Sequence, residues 1–285
     1  MVKTKEDYEK FLIRVKKELL SHKIIQKNEY TEWFRQGGLN IEDVKYFTIQ
    51  FSVFSNLFLI AQLKKVINAE TIEEMHASKE ILCNELGTIF KRKTTETDTS
   101  LQNRENNKEM EGDPALVNTE GSIDGGLFKF KAAHFEWLLN FAKPIGLSFK
   151  DLGKRKHGSK STLFFTDELE RLYGNDDFSI GSGASFAVEN WAAAGFWKDL
   201  ISGLKDFKDN KEKALNLAFF TWHDKVEGQH AEHTQEELEE IYFVEGFDED
   251  KFIKSGQEML EGVAEFWNGL NEERLKRNSK QTVSV

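Results

Sequence analysis

Three of the chain's seven histidines fall within eleven residues, in the stretch "FFTWHDKVEGQHAEHTQEELEEI" at 219–241. Each residue of an α-helix turns about 100°. His223, Glu227 and His230, spaced +4 and +7, therefore lie within about 60° of one another on one helical face. Two imidazoles and a carboxylate converging at that spacing make a ligand set for iron, manganese or zinc. His233 falls about 80° from His223 on the same wheel and reads as a solvated or supporting residue. The competing reading is a polar helix surface that carries histidines by chance. Against it stand Phe219, Phe220, Trp222 and Val226, which ring the cluster with apolar bulk. Ionisable groups beside a buried face need partners or a metal.

One helix does not complete a catalytic metal site, and three further polar residues intrude on apolar surroundings. In "FAVENWAAAGFWKDL", Glu189 stands amid Phe186, Val188, Ala192, Ala193 and Phe196. In "LFKFKAAHFEWLL", His134 shares a face with Leu127, Phe130 and Leu138. In "EILCNELGTIF", Glu85 is close to Leu82, Leu86 and Phe90. Any one of these alone is more often structural; together, all of them His or carboxylate, they point to a shared site.

The elements that must position these side chains read as helices. Apolar residues recur at helical spacing through 5–27, 40–67 and 69–91, with Phe47, Phe51, Phe54 and Phe58 stepping by four, three and four. Thr71 and Glu74 stand in capping-box positions for the third segment. From about 93 to 126 the chain turns polar and loses all aromatics, the pattern of a mobile insertion. Helical patterning resumes at "LFKFKAAHFEWLLNFAK" and stops at Pro144. A connector then carries the basic "GKRKHGSK" (153–160) and the Gly/Ser-rich "SIGSGAS" (179–185), before long helical segments at 184–206, 211–247 and 248–275. The expectation is one all-α domain over 1–285, with seven to nine helices and a core at about 40–247.

Composition bounds the function. At 285 residues and 39% hydrophobic, the chain can bury a sizeable core. A net charge of −10 argues against a nucleic-acid partner. The single cysteine, Cys83, has no internal disulfide partner, which suits a reducing cytoplasm. The N-terminus lacks the apolar core of a signal peptide. The most apolar run, "FSVFSNLFLIAQL", contains Asn56 and Gln62 and is short for a membrane span. A cytoplasmic protein without a membrane partner is expected, and a homodimer is left open.

These residues together resemble the haem-oxygenase-like diiron oxidases and oxygenases. That family is a seven-helix bundle in which one core helix gives a Glu and a His, a second a Glu, and a third a His-x3-Asp/Glu-x2-His set. His223-x3-Glu227-x2-His230 matches the third helix. Glu189, 34 residues earlier, stands where the second helix's carboxylate belongs, and His134, 55 residues before Glu189, fits the first-helix histidine. The "NELG" around Glu85 resembles the first-helix carboxylate segment. The chain departs from the pattern in one respect: Glu85 and His134 are 49 residues apart, with the polar insertion between them. At the usual close spacing before His134 stand Leu127 and Lys131, and the nearest preceding acid is Asp124.

The resemblance implies a haem-oxygenase-like seven-helix bundle with extra N- and C-terminal helices and a long polar insertion. It implies two Fe(II) ions held by Glu85, His134, Glu189, His223, Glu227 and His230, with O2 as co-substrate and room for an external electron donor. The substrate it implies is a small carboxylate-bearing molecule, an amino acid or derivative ahead of a fatty acid. Lys131 and Lys198 are the candidate counter-ions for that carboxylate. Three rivals share the fold or need no metal. A thiaminase-type hydrolase needs a cysteine beside an acid, but Cys83 is two residues from Glu85 and would point to a different helical face. A haem oxygenase needs an axial histidine; His22 is available, and the later cluster would then have no purpose. A helical binding protein would use the same polar residues as an internal hydrogen-bond network.

Overall fold

The helices begin where the sequence supplies caps. Thr4 and Asp7 form a reciprocal capping box, with the Asp7 N–H donating to Thr4 Oγ1 at 3.2 Å and the Thr4 N–H to Asp7 Oδ2 at 3.0 Å. Asn40 and Asp43 do the same at 2.9 and 3.2 Å, and Asp177 accepts from the N–H groups of Ser179 and Ile180. The computed structural model describes residues 3–90, 117–120 and 128–282. Among these residues eleven α-helices follow in chain order. They are α1 (Lys5–Glu18), α2 (Lys23–Gln26), α3 (Glu29–Arg35), α4 (Ile41–Ile67), α5 (Ile72–Leu86) and α6 (His134–Ala142). Then come α7 (Lys160–Glu168), α8 (Phe178–Ala192), α9 (Phe196–Asn210), α10 (Ala218–Tyr242) and α11 (Glu249–Thr282). The architecture is all-α, as expected.

The core is aromatic. Phe51 of α4 lies 5.7 Å from Trp197 of α9, 6.1 Å from Phe219 of α10 and 6.4 Å from Phe266 of α11, ring centre to ring centre. Burying each such ring contributes about 1.5–3 kcal/mol. The apolar run of α4 belongs to a helix of 27 residues, long and apolar enough by length and composition to cross a bilayer, whereas the quoted stretch alone read as too short. Its Val44, Phe47, Phe51, Phe54 and Ala61 are buried in this core, which accounts for the hydropathy.

"SIGSGAS", expected as a connector, lies inside α8. Its small residues serve a close crossing. A Cβ on Gly183 would stand 2.2 Å from the Phe252 carbonyl oxygen and 2.4 Å from Ser255 Oγ of α11, so only glycine lets the two backbones meet. Gly183→Ala is expected to lose about 2 kcal/mol net, overpacking of about 3 kcal/mol less about 1 kcal/mol of helix propensity. The urea midpoint measures this, and an unshifted midpoint would show that the two helices part freely. Other expected segments divide: 184–206 becomes α8 and α9, and 5–27 becomes α1 and α2.

A small sheet is the other departure from the sequence reading. β1 (Thr88–Phe90), β2 (Val117–Glu120) and β3 (Phe128–Lys131) pair antiparallel in the order β1-β3-β2. "FKFK", expected as the start of a helix, alternates with a period of two and forms β3. β2 falls within the polar insertion. Residues 91–116 and 121–127 of that insertion, Asp124 among them, lie outside the described residues. After α5 the chain turns at Gly87, at a φ of 74° that favours glycine, and enters β1 directly. Thr88 pairs with Phe130 and Phe90 with Phe128. This register joins the end of α5 to the start of α6 across the insertion.

Candidate metal centre

The β1–β3 register carries Glu85, three residues before Thr88, towards His134, four residues after Phe130. Glu85 sits in the last turn of α5 and is half-buried; His134 opens α6 and is buried. His223, in the second turn of α10, completes a triad. One ligand atom from each of the three lies within 4.8 Å of the others.

The geometry suits a metal cation. Glu85 Oε2 is 2.9 Å from His134 Nδ1, yet among the described residues that buried nitrogen has no aligned hydrogen-bond partner. A buried polar atom in that condition calls for another partner, and a cation held by both the nitrogen and the carboxylate would provide one. His223 Nδ1–H donates to the Phe219 carbonyl oxygen at 2.6 Å, which leaves the lone pair on Nε2. Metal-ligating histidines are oriented in this way by their second nitrogen. Two imidazoles with a carboxylate form a donor set for iron, manganese or zinc, and the residues present fit such an ion. Aromatic rings wall the triad. The His134 ring is 4.6 Å from Trp222, 5.1 Å from Trp137 and 5.0 Å from His223. His223 stacks on Trp197 at 4.9 Å and 20°.

The triad opens on a cavity of about 370 Å³, with Phe54, Phe58, Val188 and Trp191 in its walls. Glu189 of α8, half-buried, lines the same cavity. Its polar end is built by Gln62, Lys65, Tyr173 and Ser185. Gln62 Nε2 donates to the Tyr173 hydroxyl at 3.0 Å, and Lys65 Nζ donates to Ser185 Oγ at 3.1 Å with the Tyr173 ring 5.2 Å away. Burial alone would push the Lys65 ammonium down; Tyr173, Glu237, Glu189 and Glu74 outweigh it, so the pKa lies above its ordinary value and the charge is kept. Burial pushes the Tyr173 hydroxyl up, with Lys65 opposing and Glu189 adding. A second cavity of about 450 Å³ shares Lys65, Ile81, Ser185 and Glu237 with the first and contains no triad residue.

The structure thus brings together Glu85, His134 and His223, and puts Glu189 on the wall of their cavity. Glu227 and His230 lie further along α10, and the side chains of both, with that of His233, fall outside the described residues. Lys131 ends β3, and its side chain is likewise outside them. Lys198 is exposed and does not line the cavity, although its neighbour Trp197 does. The lysine in the wall is Lys65, which the sequence reading passed over. Its signal was present: Phe58, Gln62 and Lys65 continue the α4 stepping by four and three. Cys83 is half-buried and not among the cavity residues. His22 caps α2 and pairs with Glu261 at 3.2 Å.

Comparison with known proteins gives the fold its name. No family model matches the chain, and no curated protein does. Among solved structures it is similar to a domain of unknown function with a heme oxygenase-like fold from Shewanella denitrificans, at 13% identity and TM-score 0.56, covering 98% of this chain and 96% of that one. It is similar to a TenA homolog from Pseudomonas syringae at 12% identity and TM-score 0.55, over 94% and 92% of the two chains. A CADD-like protein of unknown function from Nostoc punctiforme matches at 13% identity and TM-score 0.55, over 95% of both. The chain has the haem-oxygenase-like fold, with a Glu/His triad suited to a metal at its centre.

Proposed function

We propose that this chain is a non-haem diiron oxidase or oxygenase that uses O2 to oxidise a small carboxylate-bearing substrate. The observation that carries the reading is the convergence of Glu85, His134 and His223 on one point of an aromatic cavity whose wall also holds Glu189. Glu227 and His230, on the same helix as His223, would bring the donors to six, enough for two ions when a carboxylate bridges. Bound Fe(II) would supply the one-electron redox capacity towards O2 that no side chain here has. The chain's own residues do the rest. Phe219 holds His223 in the ligating tautomer, and Trp137, Trp197 and Trp222 pack against the rings of the two histidines and orient them. Iron analysis after anaerobic reconstitution tests the proposal: about two ions per chain are expected from the donor count, and none would overturn it.

The cavity also supports a substrate class. Its apolar walls, and Lys65 as the one wall lysine among the described residues, suit an amino acid or derivative, with the carboxylate at Lys65 and Ser185 and the apolar part against Phe54, Phe58 and Val188. Lys65→Met removes the ammonium and is expected to weaken binding of such a carboxylate by about 10–100-fold, the worth of a charged hydrogen bond. Lys65→Arg should retain most of it. Calorimetric titration with a set of amino acids makes the comparison, and equal affinities for Lys65→Met and the wild type would place the carboxylate elsewhere. The same reading takes O2 and this small molecule as the partners, in a cytoplasmic setting without nucleic acid or membrane.

A further inference from the structure

All six tryptophans of the chain lie on one continuous aromatic path from the triad to the surface. Trp137 and Trp222 rest against His134, and Trp197 is stacked on His223. Trp197 meets Phe196 at 4.6 Å, and Phe196 stacks on Trp191 at 4.8 Å and 9°. Trp191 lies 6.3 Å from Trp267, which is 5.7 Å from Tyr30; Tyr30 is 5.3 Å from Trp33. Trp33 is half-exposed, with the Arg274 guanidinium 4.4 Å over its ring.

A second observation separates this path from ordinary core packing. The indole N–H groups of Trp137, Trp191, Trp197 and Trp267 are buried without a hydrogen-bond acceptor among the described residues. Buried indole N–H groups usually find a partner, and leaving one unmade is costly. The missing acceptors have a chemical consequence. An indole that loses one electron becomes a far stronger acid. Beside an acceptor it sheds its proton and the vacancy is trapped as a neutral radical. Without one it stays a cation radical, and the vacancy can pass to the next ring.

We propose that this path is a one-electron relay joining the triad to the surface at Trp33, a role that rests on the metal reading above. Trp197, stacked on His223, would give one electron to an oxidised iron ion held at the triad. Trp197 is refilled from Trp191 across the Phe196 ring, Trp191 from Trp267, and Trp267 from Trp33 across Tyr30. A one-electron reductant in solution restores Trp33. One electron passes from reductant to iron, no covalent bond forms or breaks, and every indole keeps its proton. Burial, with Asp43 adding, raises the Tyr30 hydroxyl above its ordinary range, so the ring between Trp267 and Trp33 is a neutral phenol.

The test needs no metal. Cys83, the only cysteine, lies two residues before Glu85 and accepts a thiol-reactive ruthenium photo-oxidant. Flash oxidation of the label in metal-free protein is expected to give a tryptophan cation radical, seen by transient absorbance, that added ascorbate quenches through Trp33. Trp33→Phe and Trp267→Phe should each slow that quenching by an order of magnitude, because the vacancy then loses its way out at Trp33. Trp33 is half-exposed, so Trp33→Phe keeps the measurement decisive if Trp267→Phe misfolds. Wild-type quenching rates in the variants, or no tryptophan radical at all, would overturn the relay. Iron analysis reads the diiron proposal separately: a working relay in a chain that binds no iron sinks that proposal alone.

Discussion

His223→Ala is expected to strip Fe(II) from the triad, lowering affinity by more than about 100-fold, since even residues that merely orient a ligand are worth about 10–100-fold. The variant removes a nitrogen donor, the hydrogen bond to the Phe219 carbonyl that fixes it and the ring stacked on Trp197. It also leaves only Glu85 and His134 of the triad. His134→Ala should behave alike. Glu189→Ala should cost part of the iron, because Glu189 lines the cavity apart from the triad. Lys198→Ala, at an exposed position outside the cavity, is the matched control. Iron per chain after anaerobic loading and desalting gives the answer directly. Full loading of His223→Ala would move the metal away from this triad.

The largest loss of stability is expected from Trp267→Ala. The ring is 1% exposed and meets Tyr30, Trp191, Phe196 and Phe266. Truncating it removes apolar contacts from three other helices and from Phe266 of its own, and leaves a void they can fill only in part. A loss of about 3–5 kcal/mol follows, a large share of the roughly 5–15 kcal/mol that holds a typical domain folded. Part is offset, because the indole N–H has no acceptor to lose. Trp267→Phe, which keeps a ring and discards that N–H, should cost much less. Equilibrium urea unfolding compares them; equal midpoints for the two variants would mean that the site collapses around the smaller side chain.

The helices were legible because their signals are local. Phe47, Phe51, Phe54 and Phe58 announce the buried face of α4 by spacing alone, and the limits of that helix agree closely with the expected segment. Glu85, His134, Glu189 and His223 were legible as polar residues out of place among apolar neighbours. What stayed hidden depends on contacts distant in sequence. "SIGSGAS" reads as a linker until α11 comes against it at Gly183. "FKFK" is short enough for helical neighbours to mask its alternation until β1 pairs with it. Lys65 continues a visible stripe, yet nothing in the sequence marks that end of α4 as the wall of a cavity.

The pairing of β1 with β3 has a consequence for recognising such sites. Two ligands held together by strands in register do not depend on how much chain runs between those strands. Loop closure grows only slowly with length, about 0.6 kcal/mol for each doubling, so that interval can drift while Glu85 and His134 stay neighbours. A pattern with a fixed gap between the two would miss this chain. One that allows a free interval after the glutamate, and keeps the tighter spacing along α10, would retain it.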